Sequence, residues 1–214
     1  GYAAAEGPGK GATAGNYGSG GGYGGMGGNS RDGAVGGRTY GPGVEPLYFG
    51  SGGGDGYGSG AAGGGTIYMT VYGTLTVNGR LDADGAAGLD YYGGGGGSGG
   101  SVYVKANVLD GTGVIAAQGG AGHPQNTRAG GGGGGRMDIR TGTTNFLGVI
   151  SVVGGPGFEE GDDGTIHYDT FTFGCGDVLH PYPMADLSHD CIVDMADVAI
   201  LAAHWLECTL DTCP

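Results

Sequence analysis

The sequence predicts a mainly β fold: a glycine-rich β-solenoid, or β-helix, followed by a small C-terminal calcium loop-helix module. Three observations predict it. Short apolar segments recur with a period near 35 residues, as stacked structural repeats do. Glycine supplies 59 of the 214 residues, far above its usual share of about 7%, and forms runs between those segments. Residues 175–214 hold all four cysteines and a loop rich in oxygen ligands.

The first strand of each repeat follows a glycine. TIYM begins at Thr66, SVYV at Ser101, RMDI at Arg136 and TIHY at Thr165, at steps of 35, 35 and 29 residues. Apolar residues alternate within these segments, which is the period of two expected of a half-buried strand. We expect these strands near residues 66–72, 101–106, 136–140 and 165–173.

A second series of segments repeats at the same period. GRLDADG begins at Gly79, GVIAAQG at Gly113 and GVISVVG at Gly148, at steps of 34 and 35 residues. It predicts a second strand in each repeat, near 79–84, 113–118 and 148–153. Equivalent positions are apolar in all three copies, so stacked repeats would form one continuous core.

Glycine runs separate the strands. GGGGGSGG precedes Ser101 and GGGGGG precedes Arg136. Because glycine lets backbones approach closely, we expect the runs to pack as extended, polyproline-II-like strands along one face of the sheet. Residues 1–65 continue the glycine-rich theme without clear strands, and their aromatic rings would supply burial by stacking on bare backbone. The rings are those of Tyr17, Tyr23, Tyr40, Tyr48 and Tyr57.

The alternation of strands and glycine runs, with GGxG after the second strand, resembles the glycine-rich β-helical surface proteins of bacteria. The resemblance covers roughly residues 1–170. It implies an extracellular or cell-surface structural role and no reaction.

The charge balance limits the classes of molecule that the chain can bind. The formal net charge is −13, from 8 basic and 21 acidic residues, which argues against nucleic acid because its phosphates need Lys and Arg. An acidic surface suits cation binding instead. No apolar run approaches the roughly 20 residues that span a bilayer, so we predict no membrane span. The chain begins at Gly1, which we interpret as a processed, secreted product or a fragment.

A twelve-residue loop precedes an apolar helical segment near the C-terminus. Calcium binds six to eight oxygens, and an EF-hand-type loop supplies side-chain oxygens from positions 1, 3, 5, 9 and 12 and a carbonyl from position 7. Counting from Asp186 as position 1, the sequence has a suitable residue at each of these positions. The predicted Ca²⁺ ligands are the side chains of Asp186, Ser188, Asp190, Asp194 and Asp197, and the carbonyl of Ile192.

This loop resembles the dockerin type I repeat, in which a calcium loop is followed by one helix. The resemblance implies a helix from Met195 to about Leu206, with an apolar face formed by Val198, Leu201, Ala202 and Trp205. Position 12 is Asp, as in that family, but position 6 is Cys191 where glycine is usual. A full dockerin has two such repeats and binds cohesin. We find one repeat and therefore do not predict cohesin binding.

The four cysteines favour two disulfides and an oxidising compartment, because they lack the CxxC spacing and paired histidines of a zinc site. One of three possible connectivities pairs Cys208 with Cys213 and Cys175 with Cys191. Disulfides and metal together would stabilise a module too small for its own core. We therefore predict two domains, residues 1–174 and 175–214.

Other chemically capable residues give weaker patterns. Glu159, Glu160, Asp162 and Asp163 form an acidic cluster that could bind a second cation, although we interpret it as a solvated turn. The five histidines are scattered, and no spacing of nucleophile and base is visible. We predict that the chain is not an enzyme.

The sequence favours a structural subunit of an extracellular bacterial filament or surface assembly. Exposed strands at two open ends invite another copy, and head-to-tail contacts that do not close generate helical filaments. Two alternatives stay open. One is a cell-surface adhesin or scaffold that docks to a protein partner through the loop-helix module. The other is an enzyme that acts on polysaccharide.

Overall fold

The computed structural model describes residues 1–88, 93–123, 128–171, 174, 176, 182–189 and 192–204. The chain divides into two compact units, Gly1–Phe171 and Thr172–Pro214. No helix among the described residues is long and apolar enough to cross a membrane.

Nine strands and one helix make up the described secondary structure. In chain order they are β1 Thr13–Ala14, β2 Tyr17–Gly18, β3 Thr66–Thr76, β4 Arg80–Asp82, β5 Ser101–Gly111, β6 Val114–Ala116, β7 Arg136–Phe146, β8 Val149–Ser151, β9 Thr165–Thr170 and α1 Met195–His204. The first sheet is the antiparallel pair β1–β2, the second has the order β3-β5-β7-β9, and the third has the order β4-β6-β8. Both larger sheets are parallel throughout.

The repeat predicted from the sequence corresponds to the register in which the parallel strands pair. Thr66 pairs with Ser101, Ser101 with Arg136 and Arg136 with Thr165, so the starts of these four strands and their phase are confirmed. β9 ends at Thr170, before the predicted residue 173. β3, β5 and β7 run for 11 residues each, past the predicted ends, and β3 contains an irregularity between Val71 and Thr74. The alternation of apolar residues stops before these strands end, which is why their full length could not be predicted.

The predicted fold class, a β-solenoid with polyproline-II-like glycine runs, is wrong. The fold is mixed α/β: two parallel sheets, an antiparallel pair and a helix. In a solenoid each repeat contacts only its sequence neighbours. Here the Gly21 N–H donates to the Gly96 carbonyl (2.9 Å), and the Gly21 carbonyl accepts from the Gly133 N–H (2.8 Å). Residues from the first 65 thus lie between the two longest glycine runs, and the first unit is not a one-dimensional stack.

The hydrophobic core lies between the two parallel sheets. The four-stranded sheet contributes fully buried Val102, Val104 and Met137, and the three-stranded sheet contributes fully buried Ile115. Ile115 pairs with Leu81 on one side and Ile150 on the other, which forms a continuous apolar row. Burying a side chain of this size stabilises the fold by about 1.5–3 kcal/mol.

A second packed region, which we call the glycine body, consists of the glycine runs and the segments of residues 1–65 bonded to them. Its members join by backbone hydrogen bonds, such as those from the Gly24 N–H to the Gly134 carbonyl (3.0 Å) and from the Gly28 N–H to the Gly131 carbonyl (2.8 Å). Tyr23 is fully buried beside it. Of the five tyrosines predicted to be buried, Tyr23 alone is fully buried, Tyr17 and Tyr40 are half-buried, and Tyr48 and Tyr57 are exposed. The prediction is therefore confirmed at Tyr23 and wrong at Tyr48 and Tyr57.

Candidate functional site

The acidic loop ends in a reciprocal cap on helix α1. Asp194 is the N-cap residue, because its Oδ1 accepts a hydrogen bond from the Ala196 N–H (2.7 Å). Asp197, in the first turn, accepts from the Asp194 N–H through Oδ2 (2.8 Å). This is a capping box with Asp in both positions. It fixes the direction in which the loop enters the helix.

The other oxygen of Asp197 ties the beginning of the loop to its end. Oδ1 accepts from the Ser188 N–H (2.9 Å), and the Ser188 hydroxyl donates to Asp186 Oδ1 (3.2 Å). Asp186 and Asp197 are each only 3% exposed. Loop positions 1, 3 and 12 are thus held together by hydrogen bonds.

Asp197 is held in its ionised form. The Ser188 N–H, followed by the Asp194 N–H, stabilises the carboxylate and lowers the pKa of Asp197 below its ordinary value of 3.8. The helix N-terminus adds a favourable dipole. An ionised, buried carboxylate among further oxygens has the donor chemistry of a hard-cation site.

The structure describes some of the predicted Ca²⁺ ligands and not others. Asp186, Ser188, Asp194 and Asp197 form the bonded set described above, and Ile192 is exposed. Asp190 lies outside the described residues. Among the residues that are described, no group of three or more His, Cys, Asp or Glu side chains is placed to hold a metal ion. Calcium binding therefore stays a prediction.

Within the described part of the loop, one residue adopts a left-handed backbone conformation that the sequence did not indicate. His189, position 4, adopts a left-handed φ of 61°, which is uncommon for a residue with a Cβ. Its ring packs against Tyr182 with centroids 4.5 Å apart. Cys191, at position 6, lies outside the described part of the chain, as do Cys175, Cys208, Cys213 and Trp205. The two disulfides therefore stay a prediction.

Helix α1 and the loop form an apolar groove of about 280 Å³. Met184 is fully exposed beside it, and Val198 and Leu201 are about half exposed. Three residues of the predicted apolar face, Val198, Leu201 and Ala202, therefore lie on the helix and are exposed. The residues that line the groove are Met184, Ala185, Leu187, Val193, Asp194, Asp197, Val198 and Leu201.

The second candidate site is the pair of open edges of the four-stranded sheet. β3 and β9 are its outer strands, and within the described chain neither has a partner on its outer side. The three-stranded sheet ends one strand earlier, at β8. This step leaves an apolar notch of about 240 Å³ beside Ile139, Ile150 and Tyr168.

One row of side chains on the outer face of this sheet was not predicted from the sequence. Tyr68, Tyr103, Asp138 and His167 are successive partners across its four strands. The Tyr68 and Tyr103 rings stack with centroids 4.7 Å apart. His167 Nδ1 lies 3.1 Å from Asp138 Oδ1. The repeat starts at 136 and 165 place residues 138 and 167 side by side, so this pair could have been found from the sequence.

Asp138 is fully buried, and its negative charge is balanced by partners within the sheet. Arg140 donates to it through Nη2 (2.9 Å) and Nε, and the Glu45 N–H donates to Oδ2 (2.8 Å). Burial raises the pKa of Asp138, but the hydrogen bonds from Arg140, the Glu45 amide and His167 outweigh it and lower the pKa below 3.8. The arrangement fastens residues 40–49 to the sheet.

The acidic cluster lies on the surface of the first unit. Glu159, Glu160, Asp162 and Asp163 are all exposed, in agreement with the interpretation as a solvated turn. Glu159 Oε2 accepts from the Asn29 N–H (3.3 Å) and Asp163 Oδ1 from the Gly154 N–H (2.9 Å). These bonds join the turn to the glycine body.

Comparison of the chain with protein-family models, with curated proteins and with solved structures found no match.

Proposed function

We propose that the chain is a structural subunit of an extracellular bacterial filament or surface assembly, built by head-to-tail self-association and stabilised by Ca²⁺ at its C-terminal module. In this proposal the chain is not an enzyme. The observation that carries it is the parallel sheet whose outer strands, β3 and β9, have no strand partner on their outer sides among the described residues. These edges run in one direction and share one register.

Open parallel edges favour addition of further strands. An edge strand presents unpaired N–H and C=O groups, which another strand can satisfy. The two edges belong to different strands, so a contact between them is heterologous, and heterologous contacts that do not close produce filaments. The dense backbone hydrogen bonding of the glycine body suits a structural role.

Secretion belongs to the same proposal. A net charge of −13 keeps the subunits soluble before they assemble. Four cysteines in the second unit suit an oxidising compartment. The Ca²⁺ would be held by oxygens of Asp186, Ser188, Asp190, Asp194 and Asp197, and by the Ile192 carbonyl. The metal would offset the repulsion among the carboxylates and hold loop and helix as one unit.

Assembly is tested with the full-length protein. We expect particle mass by light scattering to rise with protein concentration, and electron microscopy to show unbranched filaments. Adding a chelator should shorten the filaments and calcium should restore them. A protein that stays monomeric at every concentration, with calcium present, would contradict self-association.

The calcium site is tested by titration calorimetry of the intact protein. Asp197→Ala should lower calcium affinity at least about tenfold, because it removes a ligand and also the bond to the Ser188 N–H. Glu160→Ala, in the separate acidic turn, is the matched control and should bind as the wild type does. Equal affinities for Asp197→Ala and wild type would refute the assignment.

A second candidate, docking of the module to a different protein, is favoured by the exposed groove on helix α1. Val198→Asp with Leu201→Asp would place two charges in this groove. If self-association is the function, the double variant should still form filaments. Loss of partner recruitment with intact filaments would assign the groove to a separate docking role.

A further inference from the structure

The open edge of β9 has a defined hydrogen-bond phase. Successive residues of a parallel strand turn their N–H and C=O groups alternately to either side. The Thr165 N–H donates to the Gly135 carbonyl (3.0 Å) and the Phe171 N–H donates to the Thr141 carbonyl (3.1 Å). The backbone N–H and C=O groups of the odd-numbered residues of β9 therefore face β7. The backbone groups that face the open side are those of Ile166, Tyr168 and Thr170.

The open edge of β3 has the complementary phase. The Ser101 N–H of β5 donates to the Gly65 carbonyl (3.0 Å), so the odd-numbered residues at the start of β3 face β5. The pairing is regular as far as Val71. The backbone groups that face outward are therefore those of Thr66, Tyr68 and Thr70.

We propose that the β9 edge of one copy binds the β3 edge of the next copy in parallel, with Thr66 of the second copy beside Thr165 of the first. The inference rests on the proposed function and names its contact. In this register each open donor meets an open acceptor. The Thr70 N–H reaches the Tyr168 carbonyl of the other copy, and the Thr170 N–H reaches the Thr70 carbonyl.

The side chains on the core face also continue across this junction. Within one copy Ile67, Val102, Met137 and Ile166 form one row, and Met69, Val104, Ile139 and Tyr168 form the next. The new contact would place Ile67 beside Ile166 and Met69 beside Tyr168. Tyr168 is 61% exposed in the single copy. The junction would therefore bury an aromatic side chain that the isolated fold leaves in water.

The notch at this end would be covered. Because the three-stranded sheet stops at β8, β4 of the second copy would lie two strand spacings beyond it. Met69 of the second copy would stand over the notch, next to Tyr168, and its flexible thioether suits an irregular apolar gap. A second copy is thus the occupant whose edge provides the strand direction, the hydrogen-bond phase and the apolar row.

Matched proline variants test this contact. Thr70→Pro and Thr170→Pro each remove an outward N–H, and proline is tolerated on an edge strand. Thr70→Ala and Thr170→Ala keep the N–H and are the controls. Each proline variant should raise the critical concentration for assembly at least about tenfold, which corresponds to about 1.4 kcal/mol. The alanine variants should assemble nearly as the wild type does. Urea unfolding confirms that all four are folded.

Mixing the two proline variants tests the polarity of the contact. Thr70→Pro keeps an intact β9 edge and Thr170→Pro keeps an intact β3 edge. Each variant alone should be monomeric, whereas an equimolar mixture should form a heterodimer and stop there. A mixture that stays monomeric although the wild type assembles would overturn the β9–β3 contact. So would homodimers of either variant, which would point to pairing of like edges.

A charge substitution tests the register. Residue 70 of the second copy would lie beside Asp169, so Thr70→Asp should weaken assembly about two- to fivefold at low salt, with Thr70→Asn as control. Within its own copy residue 70 pairs with Lys105, so the fold should not suffer. A slip of one residue would turn residue 70 to the other face, and an absent effect would overturn the register. Wild type that never assembles would instead remove the proposed function itself.

Discussion

Replacing Gly132 by Ala should destabilise the first unit, because the glycine body leaves no room for a Cβ there. The added carbon would lie 2.0 Å from the Gly97 carbonyl oxygen, about 1 Å closer than folded proteins permit. The obstacle is backbone and cannot rotate away. The Gly132 N–H also bonds to the Gly120 carbonyl (2.8 Å), and separating the segments would weaken this bond.

The expected magnitude follows from three contributions. Overpacking costs about 1–3 kcal/mol and loss of one hydrogen bond about 1 kcal/mol. Restricting the unfolded chain offsets about 0.4–1 kcal/mol. The net loss of unfolding free energy should be about 1–3.6 kcal/mol, measured by urea denaturation of the full-length protein followed by circular dichroism.

Gly79 provides the matched control. It is exposed, and a Cβ there would meet nothing within 4 Å. Gly79→Ala should therefore be neutral, or should stabilise the protein by about 0.4–1 kcal/mol through the unfolded state. If both substitutions changed stability equally, close packing would not be the reason for glycine at position 132.

Two further predictions concern pH. Because the pKa of Asp138 is below 3.8, the ionised carboxylate stabilises the fold above that pH, and this contribution is lost as the pH falls below it. Asp138→Asn should lower the free energy of unfolding at pH 7 by about 2–3 kcal/mol. It should also weaken the loss of stability at acid pH, as measured by urea titrations. Burial raises the pKa of Tyr40 to about 12, so stability should fall between pH 10 and 12. Tyr40→Phe should reduce that alkaline loss, as circular dichroism at several pH values would show; an unchanged pH profile for either variant would contradict its assignment.

The strands and their register could be predicted because residues that are equivalent in the sequence repeat are also partners in the sheets. Starts at residues 66, 101, 136 and 165 are also the pairing positions, since equivalent residues of stacked strands share one core. The same reasoning found the Leu81–Ile115–Ile150 row. Periodicity sufficed wherever apolar residues alternate.

The fold class could not be predicted because residues 1–65 carry no such pattern. Their position is fixed by backbone contacts, as where Gly21 bonds to both Gly96 and Gly133, and any glycine run offers the same groups. The loop was located because ligand spacing is local in sequence. The left-handed turn at His189 was not, since its side chain gives no sign of it.

The most direct measurement of the central claim is the axial repeat of the assembled protein. Each copy contributes four strands to the continuous sheet, and strands are spaced about 4.8 Å apart. Electron microscopy with helical reconstruction should therefore give a subunit rise of about 19 Å, or four strand spacings. Filaments with a rise unrelated to four strand spacings, or strands lying along the filament axis, would contradict head-to-tail extension of this sheet.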